Sequence, residues 1–252
     1  MKKNNNILVS IVITYFKKKK FLIKTLNSIR KQNHKNYEII FVYDDPNFSD
    51  LSFVKKCLQN FKKKKLIINS KNLGVAKSRN KAIKFCKGTY LSFIDADDIW
   101  KKNKLSYQIN QMKKNLSLFS FTSFGVINSQ GIILGKRVVK KDGNYEDLYK
   151  SNFIGLSTVM IHQKLYKRIS FPILKTQEDL GLWLKIAKDG YKLYHIKKIL
   201  SYWRNSPNSL SSNVIRKLID AFNLYYIYEN KNFVFSIYSV LVLSLNKLKK
   251  IF

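Results

Sequence analysis

The stretch Tyr90-Leu91-Ser92-Phe93-Ile94-Asp95-Ala96-Asp97-Asp98-Ile99-Trp100 decides how the chain is read. Its first five residues have the aromatic and apolar character of a buried strand. The run then ends in three carboxylates within four positions, Asp95, Asp97 and Asp98. Carboxylates crowded at a strand's end repel one another and raise each other's pKa, so the cluster needs a compensating cation. Hard oxygen ligands suit Mg2+ or Mn2+, and a divalent ion there would most naturally serve a diphosphate. The plainer alternative is a solvated loop in which Asp98 caps the next helix.

Upstream, strand-like and helix-like segments alternate. Residues 8–15 predict a strand, and residues 21–31 an amphipathic helix with Leu22, Leu26 and Ile29 on one face. Residues 37–43 predict a second strand, closed by the turn Asp44-Asp45-Pro46-Asn47, after which Asp50 is placed to cap a helix carrying Phe53, Val54, Cys57 and Leu58. A strand at 66–69, a helix at 74–85 and the strand at 90–94 complete a βαβαβαβ series. This alternation defines an α/β fold with a mainly parallel sheet and helices on both faces. Ligands of such sheets sit beyond the carboxyl ends of the strands, where Asp44, Asp45, Asp95 and Asp97 converge.

Downstream the pattern changes. Residues 104–114 predict a helix, 118–128 and 131–139 a hairpin about Ser129-Gln130, and 157–162 and 199–203 two further strands. Residues 178–188 have the period of a short helix opening on Glu178-Asp179, acids that also suit a helix dipole. Trp183 on that helix reads either as core or as one wall of an acceptor pocket.

The chain has 252 residues, 45% of them hydrophobic, enough for one large core or two halves sharing a cleft. Lys and Arg number 48 against 15 Asp and Glu, a net charge of +33. That charge suits nucleic acid, an anionic membrane surface or a phosphorylated substrate, although AT-rich coding would also produce the Lys runs at 17–20 and 62–65. No zinc-finger, helix-turn-helix or RNP motif accompanies the lysines, which argues against nucleic acid. Cys57 and Cys86 form no CxxC and read as reduced thiols of a cytosolic protein. His34, His162 and His195 lack metal-ligand spacing. Residues 1–16 superficially resemble a signal peptide, but Lys17 to Lys20 stand where a small-residue cleavage site belongs. Residues 233–245 are apolar yet shorter than the ~18–20 residues that span a bilayer.

Taken in order, Val9-Ser10-Ile11-Val12-Ile13, Ser28-Ile29-Arg30-Lys31-Gln32, Tyr37-Glu38-Ile39-Ile40, Asp44-Asp45, Asn72-Leu73-Gly74-Val75-Ala76-Lys77-Ser78-Arg79-Asn80, Ile94-Asp95-Ala96-Asp97-Asp98 and Glu178-Asp179 resemble the family 2 glycosyltransferases from about Val9 to about Ser211. The resemblance implies a Rossmann-like GT-A fold that transfers a sugar, with inversion, from a nucleotide-diphosphate donor such as a UDP-sugar. The acceptor would be a hydroxyl of a glycan, as in synthesis of cell-surface polysaccharide or lipid-linked oligosaccharide. By the same resemblance, Asp44, Asp45 and Thr14 contact the nucleoside, and Arg79 lies near the nucleotide. Asp95-Ala96-Asp97 is the DxD motif, with Asp97 the ligand of Mg2+ or Mn2+ and Asp95 nearer the ribose or a metal-bound water. Asp179 is the catalytic base. Arg204, within a segment resembling the one that closes over the diphosphate, would pair with phosphate; the alternative is an ordinary surface Arg. Gly74 and Ala76 suit either close packing near the nucleotide or simple initiation of a helix. The implied division is a nucleotide-sugar half (1–100), an acceptor half (101–212) and a basic amphipathic helical tail (213–252). Two departures stand out: Thr14-Tyr15-Phe16-Lys17 replaces Pro-x-Tyr-Asn, and Asp44-Asp45-Pro46-Asn47-Phe48-Ser49-Asp50 replaces the usual Asp-Asp-Gly-Ser turn.

In the tail, Ile215, Leu218, Ile219, Phe222 and Tyr226 share one helical face, and Lys247, Lys249 and Lys250 follow an apolar run. This suits a position on the anionic cytoplasmic leaflet of the plasma membrane, beside a lipid-linked acceptor. The alternative is a helix pair packed on the catalytic domain or in a dimer interface; the sequence leaves the oligomeric state open. Two other functions stay in view, a basic nucleic-acid-binding protein and a non-catalytic GT-A scaffold.

Overall fold

The computed structural model describes residues 6–205 and 213–248, without the side chains of 247 and 248. Its first half is β1 (Val9–Tyr15), α1 (Lys19–Arg30), β2 (Tyr37–Tyr43), α2 (Leu51–Leu58), β3 (Lys64–Ile68), α3 (Val75–Ile83) and β4 (Tyr90–Phe93). These strands pair in parallel in the order β3-β2-β1-β4. Period-two alternation explains why both faces of β1 are covered. Val9, Ile11, Ile13 and Tyr15 pack with Leu22, Leu26 and Ile29 of α1, whereas Val12 faces the opposite core with Ala76 and Ala82 of α3.

The second half comprises β5 (Ile99–Trp100), α4 (Lys104–Lys114), β6 (Phe119–Ile127), β7 (Ile133–Arg137), α5 (Tyr145–Lys150), β8 (Met160–His162), α6 (Gln163–Tyr166), α7 (Glu178–Lys188) and β9 (Tyr194–Arg204). It extends the same sheet through β8, β6, β9 and β5, with β7 beside β6. Here β8 is antiparallel to both β4 and β6, while β6 and β9 run parallel. Trp183 of α7 is fully buried, its ring edge-on to Phe119 and Phe171, so it belongs to the core and forms no acceptor wall.

Several local expectations are corrected. The strand expected at 157–162 begins only at Met160, because Leu156–Thr158 form a 3-10 turn in which Thr158 Oγ1 donates to Gly155 O. The strand expected at 199–203 is the end of β9, which starts at Tyr194; a register shift against β6 at the exposed pair Lys197 and Lys198 interrupts its alternation. Asp50 makes no side-chain cap to α2; it accepts from Tyr15 Oη at 2.7 Å and pairs with Lys19 at 3.1 Å. The turn between β6 and β7 is organised by Asn128, whose Oδ1 accepts from the backbone of Gln130, Gly131 and Ile132. Cys57 and Cys86 are free thiols.

The C-terminal extension is α8 (Val214–Asn223), a π-helical turn over Leu224–Tyr228, and α9 (Phe233–Leu248). It packs on α5 and α7: Tyr225 Oη donates to Tyr149 O, Tyr149 Oη bonds Ser239 Oγ, and Glu229 receives both Tyr145 Oη and Lys188 Nζ. No helix of the described residues is long and apolar enough to cross a membrane.

Candidate active site

The acidic rim forms where β1, β2 and β4 end. Directly after β4, the Asp95–Asp98 loop is held from three sides. Thr25 Oγ1 on α1 donates to Ala96 O at 3.0 Å and Asp98 O at 2.8 Å. Ser157 Oγ donates to Asp98 Oδ2 at 2.6 Å and accepts from the Asp95 backbone N–H at 3.1 Å. The Arg204 backbone N–H donates to Asp98 Oδ1 at 2.9 Å. Asp98 therefore does not cap a helix; it is a buried strut between three elements. Burial and the neighbouring Asp95 and Asp97 hold its pKa well above the usual carboxylate range.

Arg79 joins the rim to the second half of the chain. The α3 side chain is 3% exposed, and its guanidinium lies over the Phe171 ring. Nη2 meets Asp95 Oδ1 at 2.8 Å and Nη1 meets Glu178 Oε1 at 2.5 Å. A planar fork with several donors can bridge two carboxylates in this way, where a lysine offers a single point charge. Burial alone would lower its pKa, but Asp95, Glu178 and Asp179 raise it. One guanidinium thus ties the end of β4 to the first turn of α7, which also carries Asp179.

Asp179 is half-buried, and Oδ1 accepts from Asn152 Nδ2 at 3.2 Å and from the Leu180 backbone N–H at 2.7 Å. Burial pushes its pKa above the usual value, with Arg79 opposing. Burial pushes Glu178 up to about 7, again against Arg79. A raised carboxylate pKa suits proton acceptance in catalysis.

Asp97 is 8% exposed, and Oδ2 lies 2.6 Å from Lys18 Nζ. Burial raises its pKa, while the ammonium of Lys18 pulls it down. Lys18 occupies the N-cap position of α1, directly after Lys17 at φ +51°, so the tight turn out of β1 aims this lysine at the rim.

Asp44 sits on the rim, 4% exposed, but its carboxylate is committed to the loop before α3. Oδ1 accepts from Asn69 Nδ2 and the Leu73 N–H, and Oδ2 from the Gly74 N–H. Gly74 has φ +80°, a conformation that favours glycine, so its place at the start of α3 is conformational. Ala76 is 3% exposed and belongs to the core. Asp45 is buried beside Asp44 and accepts from the Asn47 N–H at 3.2 Å; Thr14 is half-buried near the end of β1.

Arg204 departs most from expectation. It is 1% exposed, with Nε donating to Asp97 O and Nη1 to Asn128 O and Ser129 O, and it stacks 4.6 Å from the Phe21 ring. It is not a surface Arg, and its Nη2 is buried without a hydrogen-bond partner among the described residues. Two of its nitrogens brace the Asp97 backbone and the β6–β7 turn. The rest of the segment expected to close over the diphosphate, 206–211, lies outside the described residues.

Among the described residues, no group of three or more His, Cys, Asp or Glu side chains could by itself hold a metal ion. Asp95 and Asp97 nevertheless fit a hard divalent ion in kind. Such ions commonly take one or two carboxylates and complete their shell with substrate phosphate and water. The Asp95 side chain is 35% exposed and engaged through Oδ1, whereas Asp97 would exchange Lys18 for the ion.

Around Asp95, Asp97 and Arg79 the structure also places Lys18, Glu178 and Ser157, and beside Asp179 it places Asn152; sequence reasoning assigned none of these four a role in the site. Glu178 had a signal in its adjacency to Asp179. Lys18 was hidden inside a run of four lysines.

A parallel half-sheet joined to a mixed one, with an acidic rim at the junction, is the architecture of a GT-A glycosyltransferase. The glycosyl transferase family 2 model matches residues 10–172, and the chain belongs to that family. It is 31% identical over 207 residues to the putative teichuronic acid biosynthesis glycosyltransferase TuaG of Bacillus subtilis, covering 82% of each chain. It is 34% identical over 212 residues to the Escherichia coli UDP-Glc:alpha-D-GlcNAc-diphosphoundecaprenol beta-1,3-glucosyltransferase WfgD, covering 84% of this chain and 82% of the relative. The crystal structure of S. aureus TarS 1-349 in complex with UDP superposes with a TM-score of 0.67 at 21% identity, over 91% of this chain and 68% of that one.

Proposed function

We propose that this glycosyltransferase moves a hexose from a UDP-sugar to a hydroxyl of a lipid-linked glycan, with inversion at the anomeric carbon, in cell-surface polysaccharide synthesis. The observation that carries the reading is the Arg79 bridge, because Asp95 after β4 and Glu178 at the start of α7 meet on the same guanidinium, and Asp179 is the next residue after Glu178. Donor recognition and proton acceptance can then act on a single sugar. The names of WfgD and TuaG support the donor and the polysaccharide setting.

An acceptor hydroxyl is a weak nucleophile until a base takes its proton as it attacks. Asp179 does this in the proposed reaction, with Asn152 and the Leu180 N–H fixing one carboxylate oxygen and the other directed to the acceptor. Arg79 holds Glu178 and Asp95 in register, so base and donor keep their spacing through the displacement. Attack from the face opposite the diphosphate inverts the anomeric centre. Asp97 and Asp95 would hold Mg2+ or Mn2+, which when bound neutralises charge developing on the departing diphosphate. Asp45 and Thr14 face the nucleoside end, and Asp44 acts there by shaping the Asn72–Gly74 loop. A lipid-linked acceptor places the protein peripherally on the inner face of the plasma membrane.

The test is a panel of nucleotide sugars with Mn2+ or Mg2+, scored by thermal shift and by release of nucleotide, with Asp97→Ala as control. The proposal predicts that one UDP-sugar stabilises the native protein and that the shift disappears in the variant. Equal stabilisation of both proteins would remove Asp97 from the donor site.

A further inference from the structure

More than half of the exposed large apolar side chains among the described residues lie between 214 and 245, a short stretch of the chain. They are ordered. On α9, Ser236, Ser239, Val240 and Leu243 turn inward, while Tyr238, Leu241 and Leu245 form a stripe on the opposite side, 57–61% exposed. Ala221 of α8 and Leu224 of the following π-helical turn pack inward, and Ile215, Leu218 and Ile219 of α8 are exposed at 73%, 42% and 47%. Phe222 meets Phe233 edge-on at 5.5 Å, which joins the two outer faces. Helices that are apolar on the side away from their own core present a surface to something else.

Charge identifies the occupant. The only acidic residues between 213 and 248 are Asp220 and Glu229, and both are buried and bonded within the protein. The partly exposed charges on this stretch are basic, Arg216, Lys217 and Lys231, and the neighbouring segments add exposed Lys150 and Lys175 beside the exposed acid Glu146 of α5. A second copy of the chain would bring the same positive charge, +33 overall, against itself. An anionic lipid surface satisfies both features at once, accepting the apolar stripe at the acyl boundary and the lysines among its headgroups.

We infer that the outer face of α8 and α9 docks on an anionic membrane and orients the catalytic cleft toward it. Hydrogen bonds and close packing link this face to the cleft. Asp220 of α8 accepts from the Thr176 backbone N–H and from Thr176 Oγ1, both at 2.9 Å, two residues before Glu178. Leu224 packs so closely on Gly181 of α7 that a Cβ at that glycine would lie 2.9 Å from Leu224 Cδ1. The docking face is therefore bolted to the helix that begins with Asp179. The inference deepens the lipid-linked acceptor reading and rests on it for its purpose.

The experiment is co-sedimentation of the full chain with phosphatidylcholine vesicles, with and without phosphatidylglycerol, at low and high salt. The native protein is expected to bind the anionic vesicles and to be released by salt. The double variant Ile215→Asp/Leu241→Asp is expected to bind at least about tenfold more weakly, given the apolar burial lost, while keeping its thermal midpoint and UDP-sugar binding. Arg216→Glu/Lys231→Glu, which leaves the stripe intact, is expected to lose the preference for phosphatidylglycerol. Native-like vesicle binding by the first variant overturns the inference, as does a native dimer in sedimentation velocity that this variant dissociates. If detergent-solubilised lipid-linked acceptor is still glycosylated by a protein that binds no vesicles, the docking face is refuted and the acceptor reading stands.

Discussion

Lys18 and Asp97 carry an interaction with which the proposed divalent ion would compete. Their atoms are 2.6 Å apart, and the Asp97 side chain is only 12% exposed, so water screens the pair poorly. A ligand that binds only the open form has its apparent affinity reduced by the fraction of molecules that are open. Lys18→Gln removes the competitor without changing the carboxylate. Mn2+ titrated into the nucleotide-free variant, followed by electron paramagnetic resonance, is expected to bind about tenfold more tightly than to the native protein. Unchanged affinity would mean that Lys18 leaves Asp97 at no cost. Neither the pair nor its competition was legible in the sequence, because one lysine among Lys17 to Lys20 has no distinguishing neighbour until the turn after β1 is built.

Among the elements, the parallel half was legible and the connections across the molecule were not. The strands β1, β2 and β4 are continuous apolar runs buried on both faces, a pattern that local reading recovers. β9 was half hidden because Lys197 and Lys198 sit at its register shift, and Ser157-Thr158 read as strand although Thr158 Oγ1 bonds within a 3-10 turn and Ser157 Oγ donates to Asp98. The acidic cluster after β4 was legible from its residue types, but Asp98 proved structural because its partners, Ser157 and Arg204, lie 59 and 106 positions away. Arg79 was expected near the nucleotide, and its role as a tie depends on Glu178, 99 positions on. That tie sets a prediction for α3, β4 and α7 together. Arg79→Met leaves Glu178 and Asp95 without their cation, and breaking a buried pair from one side costs about 3–5 kcal/mol. Urea unfolding is expected to show a loss of that order; a loss within the range of ordinary surface substitutions would show that the tie is dispensable.

For the whole molecule, the same buried acid gives stability a pH dependence. Glu178 has a folded pKa of about 7 against an ordinary value of 4.5, so between these limits the folded state keeps a proton that the unfolded chain has released. Stability from this group is present below the lower value and declines as pH rises toward the upper one. Glu178→Gln is expected to flatten that part of the curve of unfolding free energy against pH; an unchanged slope would assign the effect to other groups. The high net charge finds a use at this scale too, since it surrounds an apolar face that local hydropathy alone would leave without an occupant. What unites the sheet, the Arg79 tie and the tail is Asp179, which follows the Glu178 that Arg79 joins to Asp95. The most direct test is the transfer rate of Asp179→Asn at saturating UDP-sugar, measured beside its donor affinity. Loss of a positioned general base predicts a rate lowered by about 10²–10⁴-fold with donor binding unchanged. Transfer at the native rate, or a rate lost only together with donor binding, would contradict the account.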